Sequence, residues 1–458
     1  MTHLVGRLVT VVALVLPTVA HAQTAARAND REIAERADRY MQAQTDAGFF
    51  SGSVLIAVGG KPLFAKAYGF ADADRKVPNT IDTRYRIASI TKTFTAALIL
   101  QLHQEKRLNL QDSICEFMES CAPHWQSVTV RHLLTHTSGI PSYTNAPDFF
   151  SRAVSPEGAD EIDDDLRERA LEFAPGEQYR YSNSNYVLLG LIAERTGGMP
   201  YAQLLRKRLL DPLEMRDSGY AVEREPPRSA VGYRPDGLGV EKAPPMHVEW
   251  LYAAGGMYST VGDLLKWDRA LYTNEILSDA LREAMWTADK GDYGYGWQVL
   301  APSPRTFGRA LLLHAGGVNG FATDLLRYPH ERVSIILLAN LETAPMEKLS
   351  RDVSAIVFGE AYEMPVVRHA VSVNPAIFDA YVGEYEITPT MSLRVFTEEG
   401  RLLVQATGQP RDVAIPASET YYFSRMTDAQ LTFVKNAAGR VDHLVIHQGG
   451  EDIRAGRK

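Results

Sequence analysis

The sequence has few cysteines and no dense run of either charge. Only two of its 458 residues are cysteine, and the formal net charge is −8. Because no basic stretch is dense enough to follow a phosphate backbone, no nucleic-acid partner is expected. Low-complexity tracts are absent too, and a hydrophobic content of 45% is enough for a large globular core divided into two domains.

Metal-binding motifs are also lacking. His132 and His136 are four residues apart, but no third ligand follows at a suitable spacing and no H-E-x-x-H occurs. The sequence therefore predicts neither a metal site nor a cofactor. A helix ending at Gly139, with Pro141 beyond it, would place His136 favourably at the negative end of that helix.

Long apolar runs are confined to the N-terminus. Arg7 precedes an apolar stretch over residues 8–19, and a small-residue site follows at 20–22. This pattern predicts a cleavable signal peptide over residues 1–22, and Pro17 with the short apolar length disfavours the alternative, a membrane anchor. The residue directly after the predicted cleavage site is Gln23 and not cysteine, so no lipid attachment is expected. We expect a periplasmic or secreted protein without stable membrane insertion.

The two cysteines, Cys115 and Cys121, are close in sequence. In an exported protein such a pair predicts a local disulfide, with two reduced thiols as the alternative. Residues six apart on one continuous helix do not face each other, so a bridge requires a turn between them. A catalytic cysteine is not expected, because no orienting histidine or asparagine is apparent nearby.

The segment Ser89-Ile90-Thr91-Lys92 carries the clearest chemical signal. Apolar residues recur at helical spacing after it, which predicts that a helix starts here. Residues three apart on a helix are neighbours, so the Lys92 amine can reach the Ser89 hydroxyl. A hydroxyl needs an adjacent base to act as a nucleophile, and a desolvated lysine is driven toward its neutral, proton-accepting form. The spacing therefore supplies both nucleophile and base.

A second motif, Tyr181-Ser182-Asn183, follows a Pro-Gly turn and precedes an amphipathic run over residues 184–196. It is predicted to lie in a loop leading into a helix, where its side chains can face a cleft. Tyrosine can shuttle protons, and asparagine can both donate and accept hydrogen bonds. The Y-x-N pattern also starts at Tyr143 and Tyr272, but only the Tyr181 copy has this turn and helix around it.

The third motif, His314-Ala315-Gly316-Gly317, ends an apolar run over 310–313 that predicts a buried strand. Further strands are predicted over 321–328 and 333–339. Glycines in a strand allow a close backbone approach, which a substrate docking beside an edge strand needs. A structural role for His314 is the alternative, and His447-Gln448-Gly449-Gly450 has the same pattern, so this motif is not specific by itself.

Taken together in this order, the three motifs resemble those of the serine β-lactamase and penicillin-binding protein family. Residues 131–139 and 254–260 also resemble segments of the branch that contains class C β-lactamases, DD-peptidases and related esterases. The resemblance extends from about Ala37 to Gly359. The chain departs from the β-lactamases at His314, where those enzymes carry lysine.

The resemblance implies a role for each motif residue. Ser89 attacks a carbonyl while Lys92 takes its proton, alone or through Tyr181, and the backbone N–H groups of Ser89 and Gly317 hold the oxyanion. Asn183 orients Lys92 and a substrate amide, and His314 adjusts Tyr181 or contacts a substrate carboxylate. The predicted substrate-binding residues are Asn183, His314, Gly316 and Gly317.

These roles predict an exported serine hydrolase that forms an acyl-enzyme on small esters or peptide-like amides, as DD-peptidases and esterases do. A β-lactamase is one alternative, although the change at His314 disfavours efficient β-lactam hydrolysis. A non-catalytic sensor of cell-wall peptides or β-lactams is the other. The partner is a small-molecule or peptide substrate, and the oligomeric state is left open.

The predicted fold class is α/β, with a mostly antiparallel sheet flanked by helices, an inserted helical region, and a small antiparallel β-barrel at the C-terminus. The sheet would contain residues 51–58, 62–68 and the strands after Tyr293. Closely spaced hairpins with glycine turns predict the barrel.

Residues 378–386 (FDAYVGEYE) resemble the lipocalin-like domain of some relatives. The barrel could bind a ligand, shape the cleft or aid assembly. The predicted boundaries are 23–363 for the hydrolase domain, 364–375 for a linker and 376–458 for the barrel.

Overall fold

The computed structural model describes residues 19–156, 158–220, 226–236, 239–409, 411–427, 429–448 and 451–458. Most of the predicted signal peptide, residues 1–18, therefore lies outside the described residues, as do Gly449 and Gly450 of the second H-x-G-like pattern. Within these ranges, none of the helices combines the length and apolar character needed to cross a bilayer.

The helices follow one another along the hydrolase part of the chain. The α-helices are α1 Val19–Asp46, α2 Thr91–Gln104, α3 Val130–Leu134, α4 Phe149–Arg152, α5 Ala159–Arg167, α6 Asn183–Gly197, α7 Tyr201–Leu205, α8 Tyr252–Gly255, α9 Val261–Ala270, α10 Asp279–Met285 and α11 Met346–Phe358. A one-turn 3-10 helix, Ala88–Ile90, precedes α2, and a π-helical turn, Arg206–Leu210, continues α7.

The strands fall into several sheets. Those of the hydrolase part are β1 Gly52–Val58, β2 Lys61–Tyr68, β3 Phe70–Asp72, β4 Val77–Pro78, β5 Tyr85–Arg86, β6 Gly219–Tyr220, β7 Tyr233–Pro235, β8 Val240–Lys242, β9 Met257–Ser259, β10 Gln298–Leu300, β11 Leu311–Val318, β12 Phe321–Tyr328 and β13 Val333–Ala339. Those of the C-terminal part are β14 Gly383–Thr388, β15 Met391–Glu398, β16 Arg401–Ala406, β17 Asp412–Val413, β18 Ile415–Pro416, β19 Tyr421–Phe423, β20 Gln430–Lys435, β21 Val441–Gln448 and β22 Glu451–Arg457.

The central sheet has six antiparallel strands in the order β10-β11-β12-β13-β1-β2. Successive side chains of a strand point to opposite faces, so β1 contributes to two cores. Val54 and Ile56 pack with α1 and α11, while Leu55 and Ala57 pack with α2 and α9. The predicted antiparallel sheet, flanked by helices and interrupted by a helical region between β2 and β10, is confirmed.

The hydrolase part is held together by aromatic and ionic contacts between nonadjacent elements. Trp267 of α9 stacks on Phe94 of α2, with ring centroids 4.2 Å apart. Arg327 of β12 and Asp268 of α9 form an ion pair in which both side chains are fully buried. Ser334 of β13 donates a further hydrogen bond to Asp268. These contacts fix α2, and with it the Ser89 turn, against the sheet.

Cys115 and Cys121 are joined by a disulfide in this structure. Cys115 lies in the 3-10 turn Ile114–Glu116, whose N-terminus is capped by Ser113. The chain then bends through 117–122 without forming a continuous helix. This bend supplies the turn that a bridge between residues six apart requires.

Removal of this bridge is expected to destabilise the protein modestly. The Cys115→Ser/Cys121→Ser double variant should lose roughly 2 kcal/mol in the free energy of unfolding, because a short closed loop restricts the unfolded chain only slightly. Denaturant unfolding of both proteins measures the difference. In the unreduced wild type, Cys115 and Cys121 should both resist alkylation even after unfolding. Immediate alkylation of the two cysteines would contradict the bridge.

The C-terminal strands form one antiparallel sheet in the order β17-β16-β15-β14-β22-β21-β20-β19-β18. Its two edge strands, β17 and β18, are separated by the single residue Ala414, so the sheet curls into a nearly closed barrel. Tyr381 and Tyr385 of the FDAYVGEYE segment are buried in its core, and the Tyr381 ring stacks on Phe433 at 4.2 Å. The prediction of a small antiparallel barrel is confirmed. Residues 360–374 carry no helix or strand.

Candidate active site

Ser89 occupies the middle of the 3-10 turn Ala88–Ile90, directly before α2. Ala88 has a φ of +45°, a left-handed conformation that costs energy in any residue with a Cβ and is concentrated at functional sites. The side chain of Ser89 is half-buried and lines a cavity of 560 Å³. The predicted nucleophile is therefore presented to a cleft by a sharp turn and not by the regular part of the helix.

Lys92 is completely buried at the start of α2. Its Nζ lies 3.0 Å from Ser89 Oγ, 2.8 Å from Asn183 Oδ1 and 2.7 Å from the Ala254 carbonyl oxygen. Burial holds the pKa of Lys92 well below its usual value. The two carbonyl oxygens can only accept, so a neutral amine gives both its N–H groups to them. Its lone pair then faces the Ser89 hydroxyl and can take that proton.

Tyr181 approaches the same hydroxyl from the loop before α6. Its phenol lies 3.0 Å from Ser89 Oγ and donates a hydrogen bond to it. Burial raises the pKa of Tyr181, so it stays a protonated phenol near neutral pH. In the free enzyme this arrangement makes Lys92 the better base and Tyr181 a proton donor or relay.

Asn183 is the first residue of α6, and its side-chain amide is fixed at both ends. Oδ1 accepts from Lys92, while Nδ2 donates to Thr144 Oγ1 at 3.1 Å. The sequence did not single out Thr144 or the Ala254 carbonyl. Thr144 belongs to the Y-x-N copy that starts at Tyr143. That repeated pattern was the only sequence signal for Thr144, and it gave no reason to place this residue in the active site.

His314 has different contacts from those predicted. It lies within β11, which continues through the whole motif, and its side chain is buried. Nδ1 lies 2.7 Å from the Ala315 carbonyl oxygen, which can only accept, so Nδ1 carries the proton. Nε2 therefore accepts from the Tyr293 hydroxyl at 2.9 Å. Neither nitrogen is left for a substrate carboxylate, so that predicted contact is corrected to Ala315 and Tyr293. The His314 ring lies 6.4 Å from the Tyr181 ring, and its predicted effect on Tyr181 stays a prediction.

The electrostatics of His314 agree with this correction. Burial, with a smaller contribution from the nearby Lys92, lowers the pKa of His314 to about 3. The ring is therefore neutral across the physiological pH range. It offers a bound anion no positive charge, in contrast to the lysine of the β-lactamases.

The two glycines of the motif face opposite sides of β11. A Cβ on Gly316 would lie 2.4 Å from the Ile87 carbonyl oxygen and 2.4 Å from Thr323 Oγ1, so glycine is required for the strand to approach the Ser89 turn. Gly316 therefore contacts protein and not the cavity, which corrects its predicted substrate contact. Gly317 is exposed and lines the cavity together with Ser89, as an oxyanion-hole residue must.

His136 also departs from its predicted environment. Helix α3 ends at Leu134 and not at Gly139, and His136 follows with a φ of +55° and no exposed surface. Its Nδ1 accepts from the Ser182 N–H at 3.2 Å, and burial holds its pKa well below the usual value. The predicted favourable interaction of His136 with the negative end of a helix is wrong, because the buried ring is neutral. The neutral ring instead packs 4.4 Å from the Tyr181 ring and supports the second motif.

The cavity wall is mainly apolar and aromatic. Its polar side chains are Ser89, Asn183 and Thr144 at the catalytic centre, and also Asn319, Glu342 and Thr343. The apolar and aromatic side chains of the wall are Tyr143, Phe149, Phe150, Met246, Leu251, Val318 and Phe321. A cavity of this kind suits a compact acyl group with an apolar side chain.

The lowered pKa of Lys92 has a measurable consequence for the pH profile. Burial disfavours the charged amine, so Lys92 should lose its proton well below 10.5, the ordinary value. We expect kcat/KM for a neutral ester to rise with pH and to level off well below pH 10.5. The background is measured with Ser89→Ala, and a rate that keeps rising up to pH 10.5 would show an unshifted lysine.

Comparison with known proteins identifies the family. The β-lactamase family model matches residues 33–357. The chain belongs to the serine β-lactamase and penicillin-binding protein family. It is 31% identical over 432 residues to penicillin-binding protein 4* of Bacillus subtilis, an alignment that covers 88% of this chain and 94% of the relative. Serine hydrolase chemistry, which the motifs predicted, is the chemistry of this family. A second model, a domain of unknown function (DUF3471), matches residues 367–457 in the barrel region.

Solved structures of the family support the same fold. The octameric penicillin-binding protein homologue from Pyrococcus abyssi matches with a TM-score of 0.65 and 25% identity, over 92% of this chain and 99% of its own. A D-stereospecific amidohydrolase from Streptomyces sp. matches with a TM-score of 0.60 and 25% identity, over 73% of this chain and 99% of its own.

Proposed function

We propose that this protein is an exported serine hydrolase that forms an acyl-enzyme on Ser89 with small esters or peptide-like amides. The observation that carries the proposal is the position of the Ser89 hydroxyl, 3.0 Å from both Lys92 Nζ and the Tyr181 phenol. A nucleophile with a neutral base on one side and a proton donor on the other is equipped for acyl transfer.

In the acylation step, Lys92 takes the Ser89 proton as Oγ attacks the carbonyl carbon. The oxyanion forms beside the Ser89 and Gly317 backbone N–H groups, where fixed dipoles stabilise developing charge. Tyr181 donates its proton to the leaving group and is reprotonated by way of Lys92. Deacylation repeats the path with water as the nucleophile.

Two features disfavour β-lactams as the preferred substrates. No lysine or arginine lines the described cavity, and His314 is neutral, so a β-lactam carboxylate finds no cation. A related protein described as a D-stereospecific amidohydrolase supports amides as substrates.

A substrate panel tests this proposal. Purified enzyme is given a p-nitrophenyl ester, a D-alanyl amide and nitrocefin, and intact-mass spectrometry follows the acyl-enzyme. We expect the highest kcat/KM on the ester or the amide, and a mass increase on a peptide that contains Ser89. A wide preference for nitrocefin would make β-lactamase the function. Acylation of Ser89 without turnover of any substrate would favour the alternative function, a non-catalytic sensor of cell-wall peptides or β-lactams.

Export is the second part of the proposal. It rests on Arg7, the apolar run over residues 8–19 and the small-residue site at 20–22. N-terminal sequencing of the protein from the periplasm or medium should give a chain that starts at Gln23. Recovery of exported protein that retains Met1 would contradict it.

A further inference from the structure

The charge within the cavity is unbalanced. Among the described residues that line it, Glu342 is the one with a charged side chain, and every other lining side chain is neutral. The Lys92 amine of the catalytic centre is buried behind Ser89, and burial lowers its pKa, so it does not supply a compensating positive charge. A substrate in this cavity therefore meets one carboxylate and no compensating cation.

The Glu342 carboxylate is held in place by the sheet. The residue follows β13, and its backbone N–H donates to the Tyr233 carbonyl oxygen at 3.0 Å. Its Oε2 accepts from the Gly320 N–H at 2.8 Å, in the turn between β11 and β12. In the part of the chain that the structure describes, no basic side chain pairs with it. One oxygen is thus positioned by the backbone, while the other remains available to a ligand.

The negative potential extends beyond the cavity. Glu342 and Thr343 also line an adjoining groove of 450 Å³, whose far wall is formed by barrel residues such as Glu399 and Arg401. Six carboxylates and three guanidinium groups line this groove, and two of the guanidinium groups are paired, Arg234 with Glu241 and Arg411 with Glu398. A cleft dominated by one sign of charge concentrates ligands of the opposite sign.

We propose that Glu342 binds the ammonium group of the substrate, so that the preferred acyl donors are amine-bearing esters or amides with an apolar side chain. The apolar part packs against the aromatic wall, where Phe149 and Phe321 lie. Aromatic faces also attract an ammonium group. This inference deepens the proposed function and rests on it. The recognised chemistry is a primary ammonium, either the α-amino group of an amino acid or peptide or a side-chain amine.

The kinetic experiment compares substrates that differ only in that charge. The first pair is phenylalanine p-nitroanilide and its N-acetyl derivative, in both enantiomers. The second pair consists of the p-nitrophenyl esters of 6-aminohexanoate and of hexanoate. This pair tests an amine far from the carbonyl group in place of an α-amino group. We expect the amine to raise kcat/KM roughly 10-fold or more in one pair, the usual gain from a charge-assisted hydrogen bond. The pair with the larger ratio identifies the source of the ammonium.

Glu342→Gln should bring that ratio close to 1, since glutamine can still accept from the Gly320 N–H but carries no charge. The matched control is Glu275→Gln, which removes an exposed carboxylate outside the cavity and should leave the ratio at the wild-type value. The preference should also weaken at high salt, because salt screens the attraction. It should fall above about pH 8 for an α-amino substrate, since that group then loses its proton.

A binding measurement separates this inference from the proposed function. Calorimetry on the Ser89→Ala protein compares phenylalanine amide with its N-acetyl derivative, without any turnover. Tighter binding of the free amine that is lost in the Ser89→Ala/Glu342→Gln protein supports the inference. Equal or weaker binding of the free amine, together with a kinetic ratio near 1 for the 6-aminohexanoate pair, overturns it, even if Ser89-dependent hydrolysis of neutral esters continues. Amine-selective binding in an enzyme that hydrolyses no ester or amide would overturn the proposed function and retain the Glu342 site.

Discussion

Ser89→Ala is expected to lower kcat on any accepted ester or amide by roughly 10⁴-fold or more, the usual effect of removing a catalytic nucleophile. The reason is local, because Lys92 and Tyr181 both direct their polar groups at the Ser89 hydroxyl and no other hydroxyl is hydrogen-bonded to both of them in the described part of the site. The measurement is steady-state hydrolysis combined with labelling by a fluorophosphonate. Wild-type protein should gain the mass of the label on Ser89, and the variant should gain none.

A matched serine variant controls for folding and for unspecific labelling. Ser127 is exposed and does not line the cavity, so Ser127→Ala should keep wild-type turnover and labelling. Circular dichroism of both variants should match that of the wild type. If Ser89→Ala hydrolysed esters as fast as the wild type, the acyl-enzyme mechanism would have to be abandoned.

Lys92→Ala and Tyr181→Phe are each expected to slow acylation by roughly 10²- to 10⁴-fold, the range of general acid–base contributions. Their effects should not multiply, since both residues act on one proton path through Ser89 Oγ. The double variant should therefore be only slightly slower than the slower single variant. Rapid-mixing measurements of the acylation burst give the rate constants directly.

The structure explains why Tyr181→Phe is the cleaner of these two substitutions. Phenylalanine keeps the ring that packs against His136 and removes only the hydroxyl. Lys92→Ala leaves a buried cavity beside Asn183 and Ala254, so Lys92→Met is the volume-matched companion. Losses that multiply in the Tyr181→Phe/Lys92→Met protein would mean that the two residues act in separate steps.

Several elements could be predicted from the sequence with nearly correct ends. Strands β12 and β13 have the predicted bounds, and β2 begins one residue before the predicted start. Such segments have strong periodicity and are bounded by turn residues, so local preference and burial agree. Helix α3 is the counterexample, because its predicted end was inferred only from Gly139 and the Pro141 beyond it. The chain leaves the helix at Leu134 so that His136 can turn inward beneath Tyr181.

The sequence by itself determined the pairing of Ser89 with Lys92, because residues three apart in a helical turn are neighbours wherever that turn lies. It also determined the family, through the order of three motifs. Only the tertiary structure decided that Thr144 and the Ala254 carbonyl complete the hydrogen bonds of the site and that Glu342 lines its cavity. Those contacts join elements far apart in the chain, and their geometry depends on how α2, α6 and the sheet pack together. The orientation of His314 was decided in the same way, since β10 lies in the chain between its partner Tyr293 and β11, and no local pattern links the two.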